Sequence, residues 1–376
     1  MTTEGKAKRH GKLPRTSFGT FGGLELALLG APCSYIQQFA EALSEEIAPV
    51  KCAYADADHA EDTTEGLHWN FRAQQAQNAA RFETGYGMSR EIHRLLSSAT
   101  QVTLLNGNHF EGPKQLVLLH PEKLESLQRK LHKLIDPIGI VLCGMEAVPE
   151  FMQVYLREKG WELPIWKDAE KPDIAAHIAG LISVPRLRGL VLAGGKSERM
   201  GFDKTLIDFR GMPHRDYMLG LFTEANLPVM LSVRDEPEST IEGREYLVDR
   251  FRDMGPYGAI VSAFMYDPDA AWLVLASDLA LFDGDMLAEL IAAREPRQFA
   301  TSFRSPVNGD AEPLAAIWEP SAYPWLLLRL SLGESCPRSV LRSLQVNVIE
   351  AKDGRKLMNV NTPEELERAK GELGFT

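Results

Sequence analysis

The chain is poor in cysteine, with four residues in 376: Cys33, Cys52, Cys143 and Cys336. They stand far apart and form no Cys-x-x-Cys pair, which excludes a disulfide framework and gives no zinc-ligand spacing. A reducing, cytoplasmic setting is the expectation. Long apolar runs are missing too. Nothing approaches the about eighteen apolar residues that a spanning helix needs, so no membrane segment is expected. The residues through Arg15 are polar and basic and lack the apolar centre of a signal peptide. Residues 1–22 are expected to form a disordered tail. Basic excess is absent as well. A net charge of −11 argues against broad nucleic-acid binding, which needs a basic surface. A local basic pocket is still compatible with that balance, so phosphate ligands stay allowed. No internal repeat is visible.

What is present is an ordinary globular composition, 44% hydrophobic and 25% charged, at a length that suggests two domains. Strand-like runs alternate with helical patterns, the mark of α/β units around mostly parallel sheets. In the first half Leu24–Leu29, Val50–Ala55, Val102–Leu105, Leu116–Leu119 and Ile140–Cys143 read as strands. Ile36–Ile47, Ser89–Leu96, Lys123–Leu134 and Ile174–Ile182 read as helices. Pro185 to Arg188 makes a linker. The expected domains are therefore 23–183 and 186–376, each a three-layer α/β/α unit. In the second, the strands are Leu187–Val191, Val229–Val233, Tyr246–Val248, Trp272–Ala276, Ala300–Phe303, Leu314–Trp318 and Val346–Ile349. Thr362, Pro363 and Glu365 announce a final helix with a capping box.

The most informative stretch follows the strand at Leu187–Val191. It reads Leu192-Ala193-Gly194-Gly195-Lys196-Ser197-Glu198-Arg199-Met200-Gly201-Phe202-Asp203-Lys204. A glycine pair after a strand lets backbone amides approach a phosphate closely and form an anion nest. Arg199 and Lys204 add mobile positive charge. The spacing is neither the P-loop pattern nor the dinucleotide fingerprint. A Gly-rich turn with solvated cations is the bland alternative. The loop resembles that of nucleotidyltransferases that activate sugars and cofactors. Arg-Met-Gly-x-Asp-Lys is most similar to the molybdenum cofactor guanylyltransferases, and the similarity runs from about Arg186 to the C-terminus.

That resemblance implies a Mg²⁺-dependent nucleotidyltransferase with a Rossmann-like fold. Leu192, Ala193, Gly194, Gly195, Lys204, Ser232, Asp249, Gly255 and Asp278 would bind the nucleotide, and Lys204, Arg199 and Asp278 would serve catalysis. Gly255-Pro256-Tyr257-Gly258 is similar to the family's turn beside the nucleotide, and small residues ahead of a helix present free amides. A plain tight turn is the other reading. Asp278 ends the run Ala271–Ser277, and ligands of open α/β sheets collect at the carboxyl ends of strands. A carboxylate there can hold Mg²⁺, as the matching family residue does, or it can cap the next helix. Relatives carry Asp-x-Pro where this chain has Asp278-Leu279-Ala280, so the stiffening proline is lost. Asn359 and Asn361 resemble the family's Asn-x-Asn-Thr-Pro segment and would take the acceptor phosphate. Helix entry explains the same residues. Arg338 either faces the acceptor or lies on the surface. His214, after Gly211-Met212-Pro213, reads as a loop residue.

The implied reaction is attack of an acceptor phosphate on the α-phosphate of a triphosphate, with pyrophosphate leaving. The metal and cationic side chains would offset the charge. The favoured version joins GMP from GTP to molybdopterin, possible company being molybdenum-cofactor assembly proteins. Transfer of CMP, or of a nucleotide to a sugar phosphate, is the enzymatic rival, since base choice rests on contacts around Leu192, Ser232 and Asp249. A non-catalytic nucleotide-binding scaffold is the rival from another class.

The front half offers Leu24–Leu29, then Gly30-Ala31-Pro32-Cys33-Ser34-Tyr35-Ile36 and a helix. It resembles, in degenerate form, the GTP-binding partner protein of molybdenum cofactor guanylyltransfer. The Gly-Lys-[Ser/Thr] ending is missing, so no lysine meets a β- or γ-phosphate. A structural or acceptor-delivery role is the expectation. Asp56, Asp58, His59 and His109 fall at strand ends, where they would form a small metal or phosphate site or serve only the structure.

Overall fold

The computed structural model describes residues 23–48, 50–56, 100–193, 210–235, 244–360 and 362–374, with the backbone alone for 69–74, 79–84 and 363. The expected tail 1–22, the helix Ser89–Leu96, Asp58, His59, the loop residues Gly194, Gly195, Arg199 and Lys204, and Asn361 lie outside the described residues. The chain divides into two compact units, Gly22–Val184 and a second running from Pro185 to Thr376. Both are α/β, with helices on either face of a central sheet.

In the first unit the strands are β1 (Leu24–Leu29), β2 (Cys52–Ala55), β5 (Val102–Asn106), β6 (Lys114–Leu119), β7 (Pro137–Leu142) and β8 (Ile165–Lys167). They form a six-stranded sheet in the order β2-β5-β1-β6-β7-β8, with every pair parallel. Strands β3 (Trp69–Gln74) and β4 (Ala79–Thr84) form a separate antiparallel pair. Side chains alternate along β1. Leu26 and Leu28 meet Ile36, Phe39 and Leu43 of the helix Cys33–Glu46 and Ile174 and Ile178 of the helix Lys171–Leu181. Ala27 and Leu29 face the other way, toward Leu127 and Met152. A strand buried on both faces reads as a continuous apolar run, which is why LELALL carries only one charge.

In the second unit the strands are β9 (Leu187–Leu192), β10 (Val229–Val233), β11 (Tyr246–Val248), β12 (Ala271–Ala276), β13 (Ala300–Arg304), β14 (Ala311–Trp318) and β15 (Val346–Ile349). Their order is β11-β10-β9-β12-β14-β13-β15. Strand β14 alone runs against its neighbours, so the sheet is mixed, with a parallel half β11-β10-β9-β12. One face packs Val191, Leu231, Leu273 and Leu275 against Met218, Phe222, Met286 and Leu290. The other carries the helix Gly255–Tyr266, which lies against β9 and β12 and is buried from Tyr257 to Phe264. Trp272 and Trp318, directly paired across β12 and β14, are fully buried. Each apolar side chain enclosed in this way contributes about 1.5–3 kcal/mol.

Several elements differ from the sequence reading. Lys123–Leu134 is not one helix: a short helix, Leu124–Arg129, gives way to a 3₁₀ turn at Leu131–Lys133. The helix Glu150–Lys159 and the edge strand β8 were not expected. That helix buries only Met152 fully, so its apolar stripe is thin. His214 is the first residue of the helix His214–Glu224, and it is buried. Its place after Pro213 suggested a loop, but Pro213 is the residue that precedes the first helical turn. The final helix begins as its start signal implies. Thr362 accepts from the Glu365 amide at 3.2 Å while the Glu365 carboxylate accepts from the Thr362 amide at 3.0 Å.

Candidate active site at the carboxyl ends of four parallel strands

Because β9, β10, β11 and β12 run parallel, their carboxyl ends share one edge of the sheet, where helix N-termini and loops leave room for a ligand. The register puts Leu192 beside Ser232 on one side and Ala276 on the other. The Ala193 amide donates to the Ser232 carbonyl at 3.0 Å, fixing the point at which the chain leaves for Gly194. Ser232 is buried, and its hydroxyl donates to Asp249 Oδ1 at 2.7 Å. Burial pushes the Asp249 carboxyl above its usual range, and the serine hydrogen bond works against that shift. Leu192, Ala193, Ser232 and Asp249 therefore form one connected group. Past Asp249, Gly255 opens the helix Gly255–Tyr266 at φ +53°, a left-handed conformation that favours glycine. Further in, a Cβ on Gly258 would meet the Phe251 carbonyl at 2.4 Å, so that glycine is required by close approach.

Asp278 stands two residues past the end of β12. Its turn is held from several sides despite the alanine at position 280. The Val360 amide donates to the Asp278 carbonyl at 2.8 Å, and Arg210 Nη1 donates to the Ala280 carbonyl at 2.9 Å. Leu279, Ala280 and Leu281 are buried. His214, stacked on Tyr217 with centroids 5.9 Å apart, is buried with the Leu279 backbone beside it. The Arg210 guanidinium lies 4.0 Å from the centre of the Tyr217 ring. Tertiary contacts thus take over the stiffening that a proline would supply. Through Val360, the same hydrogen bond also brings Asn359 next to the Asp278 turn.

One residue escaped the sequence reading. Glu312 lies near the start of β14, and it is buried. Leu275 pairs with Ala315 in the antiparallel register; carried on past the strand end, that register runs Asp278 toward Glu312. Burial is the main cause that raises the Glu312 carboxyl above its usual range, and the Asp278 charge adds to it. Arg338 opposes the shift and donates from Nη2 to Glu312 Oε2 at 3.0 Å. Arg338 is therefore engaged by a carboxylate beside the Asp278 turn. Only the pairing of β12 with β14 brings Glu312 here, and no local motif around Ala311-Glu312-Pro313 signals it.

The donor chemistry of Asp278 and Glu312 is all oxygen, which suits Mg²⁺ rather than a softer ion. Among the described residues no group of three or more His, Cys, Asp or Glu could hold a metal by itself. Mg²⁺ commonly takes one or two carboxylates and completes its shell with water and substrate phosphates. The residues fit a metal that arrives with a triphosphate, and do not form a cage of their own. Among the described residues no helix is long and apolar enough to cross a membrane.

A site on the carboxyl edge of a parallel half-sheet, with a carboxylate after the strand that borders β9, marks the second unit as an α/β domain of the nucleotidyltransferase type. The chain belongs to the MobA-like NTP transferase domain family, whose model matches residues 189–348. It is 33% identical over 186 residues to a molybdenum cofactor biosynthesis bifunctional protein of Synechocystis, a match covering 49% of this chain and 54% of that protein. It is 30% identical to a probable molybdenum cofactor guanylyltransferase of Opitutus terrae, covering 48% of this chain and 94% of that one. Against a molybdenum cofactor guanylyltransferase of Xanthomonas euvesicatoria the identity is 29%, over 48% of this chain and 92% of the relative. The chain thus spans about half the length of the bifunctional relative, while the guanylyltransferases are matched almost end to end.

Proposed function

We propose that the second unit transfers GMP from GTP to a molybdopterin-type acceptor, releasing pyrophosphate, with Mg²⁺ bound during turnover. The observation that supports this best is the convergence of Leu192, Ala193, Ser232, Asp249, Asp278 and Asn359 on one sheet edge, where the segment from Gly194 to Lys204 follows in sequence, in a chain of this family. In this reading the Leu192 and Ala193 backbone and the Ser232–Asp249 pair border the base and ribose. Gly194, Gly195, Arg199 and Lys204 hold the triphosphate. Asp278 holds the metal, with Glu312 across from it. The metal supplies charge neutralisation on the phosphates. Asn359, Asn361 and Arg338 face the acceptor, whose phosphate is already ionised, so no general base is needed. Residues 186–376 form the catalytic domain, working in the cytoplasm with molybdenum-cofactor assembly proteins. Residues 23–183 form a degenerate P-loop-like domain without nucleotide hydrolysis.

The test is incubation of the purified chain with each of the four common triphosphates, Mg²⁺ and molybdopterin, with pyrophosphate release as the readout. Release with GTP alone is expected. Release with CTP, or with a sugar phosphate in place of molybdopterin, would replace the base or the acceptor in this reading. Binding of a triphosphate without release under any combination would make the protein a scaffold and overturn the proposal.

A further inference from the structure

The first unit places a thiol, an imidazole and a carboxylate together at the carboxyl ends of β1, β2 and β5, at the position where a phosphate loop would lie. Gly30 makes this possible. Its φ is +102°, and a Cβ there would meet the Leu118 carbonyl at 2.5 Å. The tight turn it permits sets Cys33 as the first residue of the fourteen-residue helix Cys33–Glu46. Cys33 Sγ lies 3.4 Å from His109 Nε2. The same His109 nitrogen lies 3.9 Å from Asp56 Oδ1. Asp56 is itself fixed, accepting from Asn106 Nδ2 at 2.8 Å and from the Tyr54 hydroxyl at 2.7 Å. Asn108 Nδ2 points at the sulfur from 3.5 Å and donates to the Ala31 carbonyl at 3.1 Å.

A nucleophile within reach of a base, with the base beside a third fixed group, is the arrangement that activates cysteine in unrelated proteins. The imidazole is within reach of the thiol proton, and Asp56 lies beside the same ring nitrogen. We propose that Cys33, His109 and Asp56 form a reactive-thiol site that takes small disulfides. The class of electrophile follows from the surroundings. Sulfur attack on sulfur needs only a thiolate and a proton for the departing thiol, and the Cys33–His109 pair can supply both. All four cysteines are free, so the product is a mixed disulfide with the incoming molecule. In the step, Cys33 passes its proton to His109 and attacks one sulfur of the disulfide. The protein–sulfur bond forms as the small molecule's S–S bond breaks, and the leaving thiolate collects the proton from His109. The small disulfide is the oxidant, so no further reagent is required.

The other cysteines serve as internal references. Burial pushes the thiols of Cys52 and Cys143 up to about 11, which makes them slow. Cys336 is exposed and belongs to the second unit. The full chain is treated with oxidised glutathione near neutral pH, and mass spectrometry of peptides follows the initial rate at each cysteine. Cys33 is expected to react roughly tenfold faster than Cys336. His109→Gln should remove that advantage, and Asp56→Asn should reduce it. In denaturant the rates of Cys33 and Cys336 in the unmutated chain should become similar, a comparison that needs no variant to fold. A folded chain in which Cys33 reacts no faster than Cys336 would overturn the proposal. So would an advantage that persists in folded His109→Gln or in denaturant.

Discussion

His214 offers the sharpest test of the structure itself. It is 1% exposed, packed between the Asp278 turn and Tyr217. Burial, joined by the nearby Arg210 guanidinium, pushes its imidazole from 6.5 down to about 4, and the hydrogen bond to the Leu279 backbone only partly opposes this. A histidine with a depressed folded value contributes stability at pH values above its unfolded one and loses it as the pH falls toward the folded one. Between those two values the unfolded chain takes up a proton that the folded chain refuses. Each unit of the gap is worth about 1.4 kcal/mol, so the window costs the second unit about 3 kcal/mol by its acid end. His214→Gln keeps a polar side chain but cannot titrate there. The assay is urea unfolding of both proteins at intervals from about pH 7 to about pH 4.5. The constant packing cost of the substitution cancels when the pH slopes are compared. The unmutated chain should lose up to about 3 kcal/mol more than the variant as the solution is acidified. Parallel slopes would mean that His214 titrates as an ordinary exposed imidazole, and the buried clamp on the Asp278 turn would be wrong.

Asp278→Asn keeps the size of the side chain and removes its charge. Turnover should fall by about a hundredfold or more, with part of the loss recovered by added Mg²⁺ and none by added acceptor; a lowered melting temperature with unchanged Mg²⁺ dependence would make Asp278 structural. Glu312 titrates in the opposite sense to His214: its raised folded value means that stability present in acid is lost as the pH rises through that value. Glu312→Gln should flatten this part of the stability profile above the ordinary glutamate range, and an unchanged profile would show that Glu312 is well solvated. Arg294 donates from Nε to Glu319 Oε1 at 2.7 Å, and from Nη2 to the Pro185 carbonyl at 2.8 Å. Glu319 is 1% exposed, so Arg294→Met should cost about 3–5 kcal/mol by stranding a buried carboxylate, as read from the urea midpoint. A loss below about 1 kcal/mol would place the pair in the class of surface ion pairs.

An inner strand of the second unit such as β12 was legible because burial on both faces leaves little but apolar residues. Val229–Val233, Tyr246–Val248 and Val346–Ile349 have the observed bounds. The others differ at an end: β9 runs on to Leu192, β12 begins at Ala271, β13 ends at Arg304, and β14 begins three residues earlier, at Ala311, and runs through Glu312 and Pro313. Local chemistry also announced the final helix, since a capping box is a relation among residues three apart. The elements that were missed lack such local signs. Strand β8 has three residues and exposes two of them, so no alternation can register. The reversed direction of β14 is invisible in its composition, because an antiparallel strand buried in a mixed sheet looks like a parallel one.

The same distinction runs through the candidate site. Asp278 stood out in the sequence because a carboxylate that closes an apolar run is a local pattern. Ser232 and Asp249 are each ordinary at the end of a strand, and their hydrogen bond exists only because β10 and β11 are neighbours. Glu312 and Arg338 owe their place to the pairing of β12 with β14. His214 was misread because its neighbours Gly211 and Pro213 suggest a loop, while the residues that bury it, Leu279 and its turn, are distant in sequence. These non-local contacts answer the doubt raised by Asp278-Leu279-Ala280. A proline restrains its turn through one dihedral angle, at the place where it sits. Here the restraint is shared by the Arg210 guanidinium and the buried His214 ring from one part of the chain and by the Val360 amide from another. A turn held in that way can keep its carboxylate aimed without proline, but it becomes sensitive to substitutions in all three partners. A shift of the Mg²⁺ dependence to higher concentration in Arg210→Ala, with Asp278 itself intact, is the consequence that separates this arrangement from a turn held locally.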